Sequence, residues 1–384
     1  MNLPDSIKYV GVNDNQIDLF ESQYPVPNGI SYNSYLILDK KVALLDSVDG
    51  RFCDLWLSNV EEALDGRSVD YLVVHHMEPD HSACVSAFLN QYREAKVVLS
   101  KKALTMLEAY FGEIYQNRSI IIEENDMLEL GEYKLKFFAA PMVHWPEVMV
   151  SYEESTQTLF SADAFGTFST PESNLDWESE ARRYYFGIVG KYGLQVQSLL
   201  KKLTSLQIKR ICSLHGPILS TNLEHYLGLY NRWSSYLPSE SGVLIAYSSI
   251  YGHTKEAVEC LVNLLSQNGV KALSYDLART NFSYVVSEAF HYDRLVLASP
   301  TYNGGLFPPV REFILHLRER NFQKRRVGLI ENGSWASVAA KLMREALAEF
   351  KEITICETKV QINASLSEES RKALAQLASE IGKA

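Results

Sequence analysis

Across residues 34–163 short apolar runs recur at close intervals: SYLILD, KVALLDSV, VDYLVVHH, AKVVLS, YKLKFFAAP, VMVSYEE and TLFSAD. Each has the length and the β-branched or aromatic content of a strand, and shorter helical stretches separate some of them. Others follow one another across a turn alone, as in MLELGEYKLKFFAAPMVHW. Hairpins are therefore mixed with crossovers, which predicts an α/β sandwich rather than a purely parallel sheet. A long helical stretch, WESEARRYYFGIVGKYGLQVQSLLKKL, precedes a last strand, IKRICSLHG.

At YLPSESG (236–242) the pattern breaks, and its Pro, Ser and Gly residues mark a linker. Beyond it, strand and helix alternate regularly. The strands are GVLIAYS, VKALSYDL, DRLVLASP, RRVGLIEN and TICETKVQI, with helices expected over roughly 253–266, 282–290, 308–320, 335–350 and 366–382. This alternation predicts a small doubly wound fold with five parallel strands. The domains are expected at 1–238 and 242–384.

A length of 384 residues agrees with two domains, and 46% hydrophobic with 22% charged residues describes an ordinary globular chain. The net charge of −10 argues against nucleic acid or an anionic membrane as partner, since either needs a dominant basic face. The opening MNLPDSIKYV has neither the basic nor the apolar region of a secretory signal, and no apolar run nears the ~20 residues of a membrane span. Cys53, Cys84, Cys212, Cys260 and Cys356 are scattered, odd in number and never spaced C-x-x-C. That spacing predicts no disulfide framework and no metal knuckle, and a cytoplasmic location.

The stretch VVHHMEPDHS (73–82) crowds His75, His76, Glu78, Asp80 and His81 beside a strand. So many ionisable groups are costly next to a core unless a metal organises their charge. Three further candidates stand at strand ends: His144 in PMVHWPE, Asp163 in LFSADAFG and His215 in SLHGPIL. Together His76, Glu78, Asp80, His81, His144, Asp163 and His215 suffice for two metals if Asp163 bridges them. A set of imidazole and carboxylate without thiolate is typical of non-haem iron and acceptable to zinc or manganese. His75 is left to pair with a polar group behind the site. Trp145 and Tyr192 are either neighbours of the substrate pocket or plain core.

After the linker, AYSSIYGHTKEA runs from a strand into a helix. Its residues Ser248, Ser249, Ile250, Tyr251, Gly252, His253 and Thr254 set small and hydroxyl groups at a helix N-terminus, where free N–H groups take a phosphate. Without a Walker lysine, and opening a doubly wound unit, this turn favours FMN over a nucleotide triphosphate. Two later strand ends supply Pro300, Thr301, Tyr302, Asn303 and Gly304, and Asn332, Gly333, Ser334 and Trp335. Their aromatics can pack on an isoalloxazine ring while backbone amides reach its polar edge.

HMEPDH resembles the H-x-E-x-D-H motif of the flavodiiron proteins, and MVHWPE, FSADAFG, HGP and SPTYN follow in that family's order. Hydrolases of the wider superfamily carry H-x-H-x-D-H and generally bind zinc; here Glu78 stands at the second histidine. The resemblance covers essentially the whole chain. It implies a metallo-β-lactamase-like αββα sandwich with a non-haem diiron site, followed by a flavodoxin-like doubly wound five-stranded parallel sheet that binds FMN. It gives His76, Glu78 and His144 to one iron and Asp80, His81 and His215 to the other, with Asp163 between them.

The resemblance also implies an oxygen reductase, a nitric oxide reductase or both, of the minimal two-domain class. By the same resemblance, rubredoxin or a similar small donor is expected to supply the electrons, and a head-to-tail homodimer or a dimer of dimers is expected. RERNFQKRR (Arg318, Arg320, Lys324, Arg325, Arg326) is either a docking patch for that donor or a solvated loop. Alternatives are a zinc hydrolase of the lactamase fold with a flavin domain attached, a flavodoxin-like carrier whose front domain only docks, and a deazaflavin-dependent oxidase within the same family.

Overall fold

A computed structural model describes residues 3–112, 115–173 and 176–383. The chain divides into two compact units, the first running to Asn231 and the second starting at Arg232. The division falls inside the helix Leu223–Ser234, and the expected linker at 236–242 follows that helix.

The first unit is built on two sheets. One has the strand order Ile7–Tyr9, Tyr35–Ile37, Ala43–Leu45, Tyr71–Val73, Lys96–Leu99, Ser119–Ile121, antiparallel at its first two junctions and parallel thereafter. The other runs Met127–Glu129, Lys134–Ala139, Met149–Glu153, Thr158–Phe160 in antiparallel order, and Arg210–Cys212 adds a parallel strand at its edge. The edge strands Ile7–Tyr9 and Ser119–Ile121 escape the sequence pattern because they are short and only partly buried, without the continuous apolar run of the central strands.

Alternation along the strands decides what each face meets. Tyr35, Ile37, Leu45 and Val73 join Leu135, Phe137, Met149 and Phe160 in the layer between the sheets. Leu36, Leu44, Leu72 and Val97 face the other way, with Trp56 and Val60 of the helix Cys53–Leu64, Phe88 of Val85–Gln91 and Leu107 of Lys101–Phe111. The long helical stretch is broken: Trp177–Tyr184 is α-helical, Tyr185–Val189 a π turn, Gly190–Tyr192 a 3₁₀ turn, and Gly193–Leu203 α-helical again.

In the second unit the parallel order is Ala272–Asp276, Glu240–Tyr247, Tyr292–Tyr302, Arg325–Asn332, Ile353–Ile355. The last expected strand is split, and Val360–Ile362 resumes pairing beside the upper end of Arg325–Asn332. The expected helix at 335–350 is Ala339–Leu347. Its start is set by Thr301, whose Oγ1 accepts from the N–H of Val338 at 3.0 Å and of Ala339 at 3.3 Å.

One expectation is corrected. Cys53 and Cys84 form a disulfide with Cα atoms 5.4 Å apart, although 31 residues separate them. Sequence spacing hides the pairing because the first turn of one helix and the turn before another meet only in the folded layer.

Candidate metal centre and cofactor loops

The strand Tyr71–Val73 ends just before the histidine pair, and extended backbone sends successive side chains to opposite sides. His75 points back: its Nδ1 lies 2.6 Å from Asp46 Oδ2 and its Nε2 2.8 Å from Ser151 Oγ. It therefore pairs behind the site, as expected. His76 points into the site. Glu78 is extended at φ −60° and ψ 140°, and Pro79 opens the one-turn helix Pro79–Ser82, which carries Asp80 and His81. Ser47 fixes that turn, its N–H and its hydroxyl each donating to the His81 carbonyl at 2.8 Å.

The side chains converge in two abutting groups, His76, Glu78, His144 and Asp163 in one, and Asp80, His81 and His215 in the other. In the first, Nε2 of His76 stands 3.2 Å from Glu78 Oε2, 3.3 Å from His144 Nε2 and 3.2 Å from Asp163 Oδ2. His144 Nε2 is 2.9 Å from Glu78 Oε2 and 3.2 Å from Asp163 Oδ2. In the second, His81 Nε2 is 3.0 Å from His215 Nε2 and 3.2 Å from Asp80 Oδ2. The other oxygen of Asp163, Oδ1, reaches this group at 3.4 Å from His81 Nε2 and 3.7 Å from His215 Nε2.

A single imidazole N–H cannot serve so many acceptors. Donor atoms about 3 Å apart are, however, the spacing expected of neighbours around one ion bound at ~2.1 Å. Both carboxylate oxygens of Asp80 and Oδ1 of Asp163 are buried and accept no hydrogen bond. Buried anionic oxygens without donors call for a cation. The donor set therefore fits a pair of metal ions.

The electrostatics agree. Burial by itself would raise the carboxyls of Asp163 and Glu78, but the imidazoles of His76 and His144 beside both, with His81 also beside Asp163, outweigh it and hold both below the usual range. Burial would lower His144, yet Asp163 and Glu78 hold it up at about 9. Asp163 and Glu78 thus each depend on a positive neighbour.

Outer partners aim the rings. His76 Nδ1 lies 2.8 Å from Glu147 Oε1, and His215 Nδ1 2.7 Å from the Ser31 carbonyl, which turns both Nε2 atoms inward. Trp145 stands edge-on to His76, ring centres 5.1 Å apart. Phe20, Tyr32 and Tyr184 stand at 5.3, 6.0 and 5.6 Å from His215. Among the described residues Tyr192 is not one of these rings; it lies half-buried under Lys191 Nζ at 5.9 Å. Sequence reasoning missed Glu147, Ser31, Tyr32 and Tyr184. Glu147 carried a faint signal, standing three residues after His144 in PMVHWPE.

In the second unit, Ser249, Ile250, Tyr251, His253, Thr254, Pro300, Thr301, Asn332, Gly333 and Ser334 line one cavity of about 190 Å³, which also takes in Ala364 of a fourth loop not expected from the sequence. Gly252, at φ +96°, turns the chain into the helix His253–Gln267. Ser248 Oγ is buried beside this turn without a hydrogen bond, a donor and acceptor open to a phosphate. Asn303 and Gly304 both have positive φ and form the two-residue loop of the hairpin that pairs Tyr302 with Gly305. Tyr251, which lines the cavity, is 89% exposed, and Trp335 and Tyr302, each next in the chain to a lining residue, are 74% and 44% exposed.

The basic residues of RERNFQKRR each have a partner in their own chain, and Arg325 among them is buried. Arg325, buried, donates to the carbonyls of Tyr236, Gln323, Lys324 and Phe290. Lys324 reaches the Ser235 carbonyl and Arg326 that of Lys383. Arg320 bonds the His316 carbonyl, and Arg318 pairs with Glu349 at 3.1 Å.

A family model described as ODP family beta lactamase matches residues 30–216. The chain is 28% identical over 363 residues to a nitric oxide reductase of Moorella thermoacetica, covering 91% of this chain and 90% of that one. It is 31% identical over 291 residues to diflavin flavoprotein A 1 of a Synechocystis species, covering 74% of this chain. It spans 50% of that relative's length. Among solved structures, the rubredoxin oxygen:oxidoreductase of Desulfovibrio gigas superposes with a TM-score of 0.93 at 23% identity, covering 100% of this chain and 98% of that one. The flavodiiron protein of Giardia intestinalis gives 0.90 at 22% identity, covering 100% and 95%. Among the described residues no helix is long and apolar enough to cross a membrane.

Proposed function

Because the chain belongs to the flavodiiron family, we propose that it is an oxidoreductase reducing dioxygen to water, nitric oxide to nitrous oxide, or both, through FMN and a two-iron site. The shared carboxylate carries this proposal: Asp163 presents one oxygen to each donor group. His76, Glu78 and His144 would hold one iron, and Asp80, His81 and His215 the other. A thiolate-free set of imidazole and carboxylate suits non-haem iron. When bound, two ferrous ions supply two electrons and reduced FMN two more, matching the four-electron reduction of dioxygen.

The chain's own residues do the rest. Glu147 and the Ser31 carbonyl hold the protons on Nδ1 of His76 and His215, leaving Nε2 free as donor. Phe20, Tyr32 and Trp145, edge-on, and the tilted Tyr184 ring pack against the cluster imidazoles and limit water there. Glu78 is the most exposed of the cluster carboxylates, its side chain 16% accessible against 10% for Asp80 and 1% for Asp163. A diatomic substrate and the protons for water therefore arrive from the Glu78 side. At the other unit, the turn Ser248–Thr254 would receive the FMN phosphate on the N-terminus of His253–Gln267.

A rubredoxin-like donor, a head-to-tail homodimer and a cytoplasmic location belong to the same proposal. The first is supported by what the Desulfovibrio gigas relative is named for.

The test is anaerobic single turnover. Protein loaded with iron and FMN is fully reduced and mixed with dioxygen or with nitric oxide while flavin and iron oxidation are followed. Fast oxidation by one gas and slow oxidation by the other names the substrate. If loaded, reduced protein consumes neither gas, the proposal fails. Metal content read alongside excludes or admits a zinc enzyme.

A further inference from the structure

The Cys53–Cys84 pair joins two segments that border the metal cluster, yet has no part in the chemistry proposed above. Cys84 sits three residues beyond His81, directly after the turn Pro79–Ser82. Cys53 is the first residue of the helix Cys53–Leu64 and follows the segment 46–52, which holds the turn carrying Asp80 and His81 through Ser47. Ser47 holds the His81 carbonyl, and Arg51 donates to the Tyr32 hydroxyl at 3.2 Å while pairing with Asp14 at 2.8 Å. The Tyr32 ring in turn rests on His81 and His215, with ring centres 6.5 and 6.0 Å apart. The cross-link thus closes a bracket around the second donor group.

We propose that Cys53–Cys84 is a reversible thiol–disulfide switch, in which the cross-link clamps Asp80 and His81 in place and its reduction loosens their hold on metal. Cys53 is partly exposed and Cys84 fully buried, so attack by an external dithiol is assigned to Cys53. Its thiolate bonds to Cys53 Sγ, the S–S bond breaks, and Cys84 leaves as thiolate and takes a proton. The second thiol of the reductant then displaces Cys53, so two electrons pass from the dithiol to the pair and the dithiol becomes a disulfide. The three remaining cysteines are free. Burial raises two of their thiols, Cys356 to about 12 and Cys212 still further, so neither competes as a thiolate at neutral pH.

The metal half of this inference rests on the proposed ligand set; the thiol half does not. Native protein loaded with iron and FMN is equilibrated in dithiothreitol buffers of graded oxidised-to-reduced ratio. It is then trapped with an alkylating reagent and mapped by peptide mass spectrometry. Cys53 and Cys84 are expected to gain label together at a single midpoint while Cys212 and Cys356 stay unlabelled. After removal of the buffer, release of iron to a ferrous chelator is expected to be roughly tenfold faster from the reduced form, the low end for loss of a ligand's outer support. The C53S/C84S double variant is expected to match the reduced wild type.

A pair that never oxidises overturns the switch, as does one that resists dithiol until Cys212 and Cys356 are also labelled. Equal iron release from both forms overturns the link to the metal site. Wild type that binds no iron at all overturns the ligand set instead, and the thiol titration still reads.

Discussion

Glu147 Oε1 lies 2.8 Å from His76 Nδ1, and the same oxygen accepts the Met77 N–H at 2.9 Å. One buried carboxylate therefore fixes both the tautomer of a cluster imidazole and the backbone beside it. Glu147→Gln is expected to weaken metal binding by 10- to 100-fold, the usual effect of losing a ligand's orienting partner. Chelator competition on the purified variant measures this, with circular dichroism to show the fold intact.

Asp163 touches both donor groups, so its loss differs in kind from the loss of any other ligand. Asp163→Asn is expected to abolish the two-metal state, whereas His215→Ala is expected to leave the first group occupied. Metal-to-protein ratios by elemental analysis check it, falling from about two to one or less in Asp163→Asn and to about one in His215→Ala.

His75 and His76 are neighbours with opposite tasks. His75→Ala breaks a buried network with Asp46 and Ser151 and is expected to cost about 1–3 kcal/mol of stability while the metals remain. His76→Ala is expected to lose metal. Urea unfolding with metal analysis of the same samples separates the two.

An added Cβ at Gly252 meets nothing within 4 Å, so Gly252→Ala acts through φ +96° alone. The left-handed conformation costs a non-glycine residue about 1–2 kcal/mol. Fluorescence titration is expected to show FMN binding weakened about tenfold, a change of ~1.4 kcal/mol.

Arg325 is buried on four carbonyls. Arg325→Met would leave those acceptors bare and is expected to destabilise the second unit by about 1–3 kcal/mol, the usual cost of stranding a buried acceptor. Denaturant unfolding followed by loss of bound FMN measures it. Unchanged stability would show that those four hydrogen bonds do not hold the second unit together.

What the sequence determined, it determined locally. Period-two alternation in KVALLDSV and VDYLVVHH sets the strand faces, and alternation between His75 and His76 sends one ring behind the site and one into it. The crowding of ionisable groups in HMEPDH and the small residues of SSIYGHT announce a cation and a phosphate, because few other ligands make such clusters affordable. Tertiary structure alone decided what long loops bring together. Ser31 reaches His215 across the sandwich, Tyr184 reaches it from a broken helix, and Cys53 meets Cys84 between helix ends. It also turned Arg325 of RERNFQKRR inward, since a charge run reads as surface until a ring of unmet carbonyls is seen to need it. Such contacts join residues far apart in the chain, and side-chain identity carries no record of the distance that folding removes.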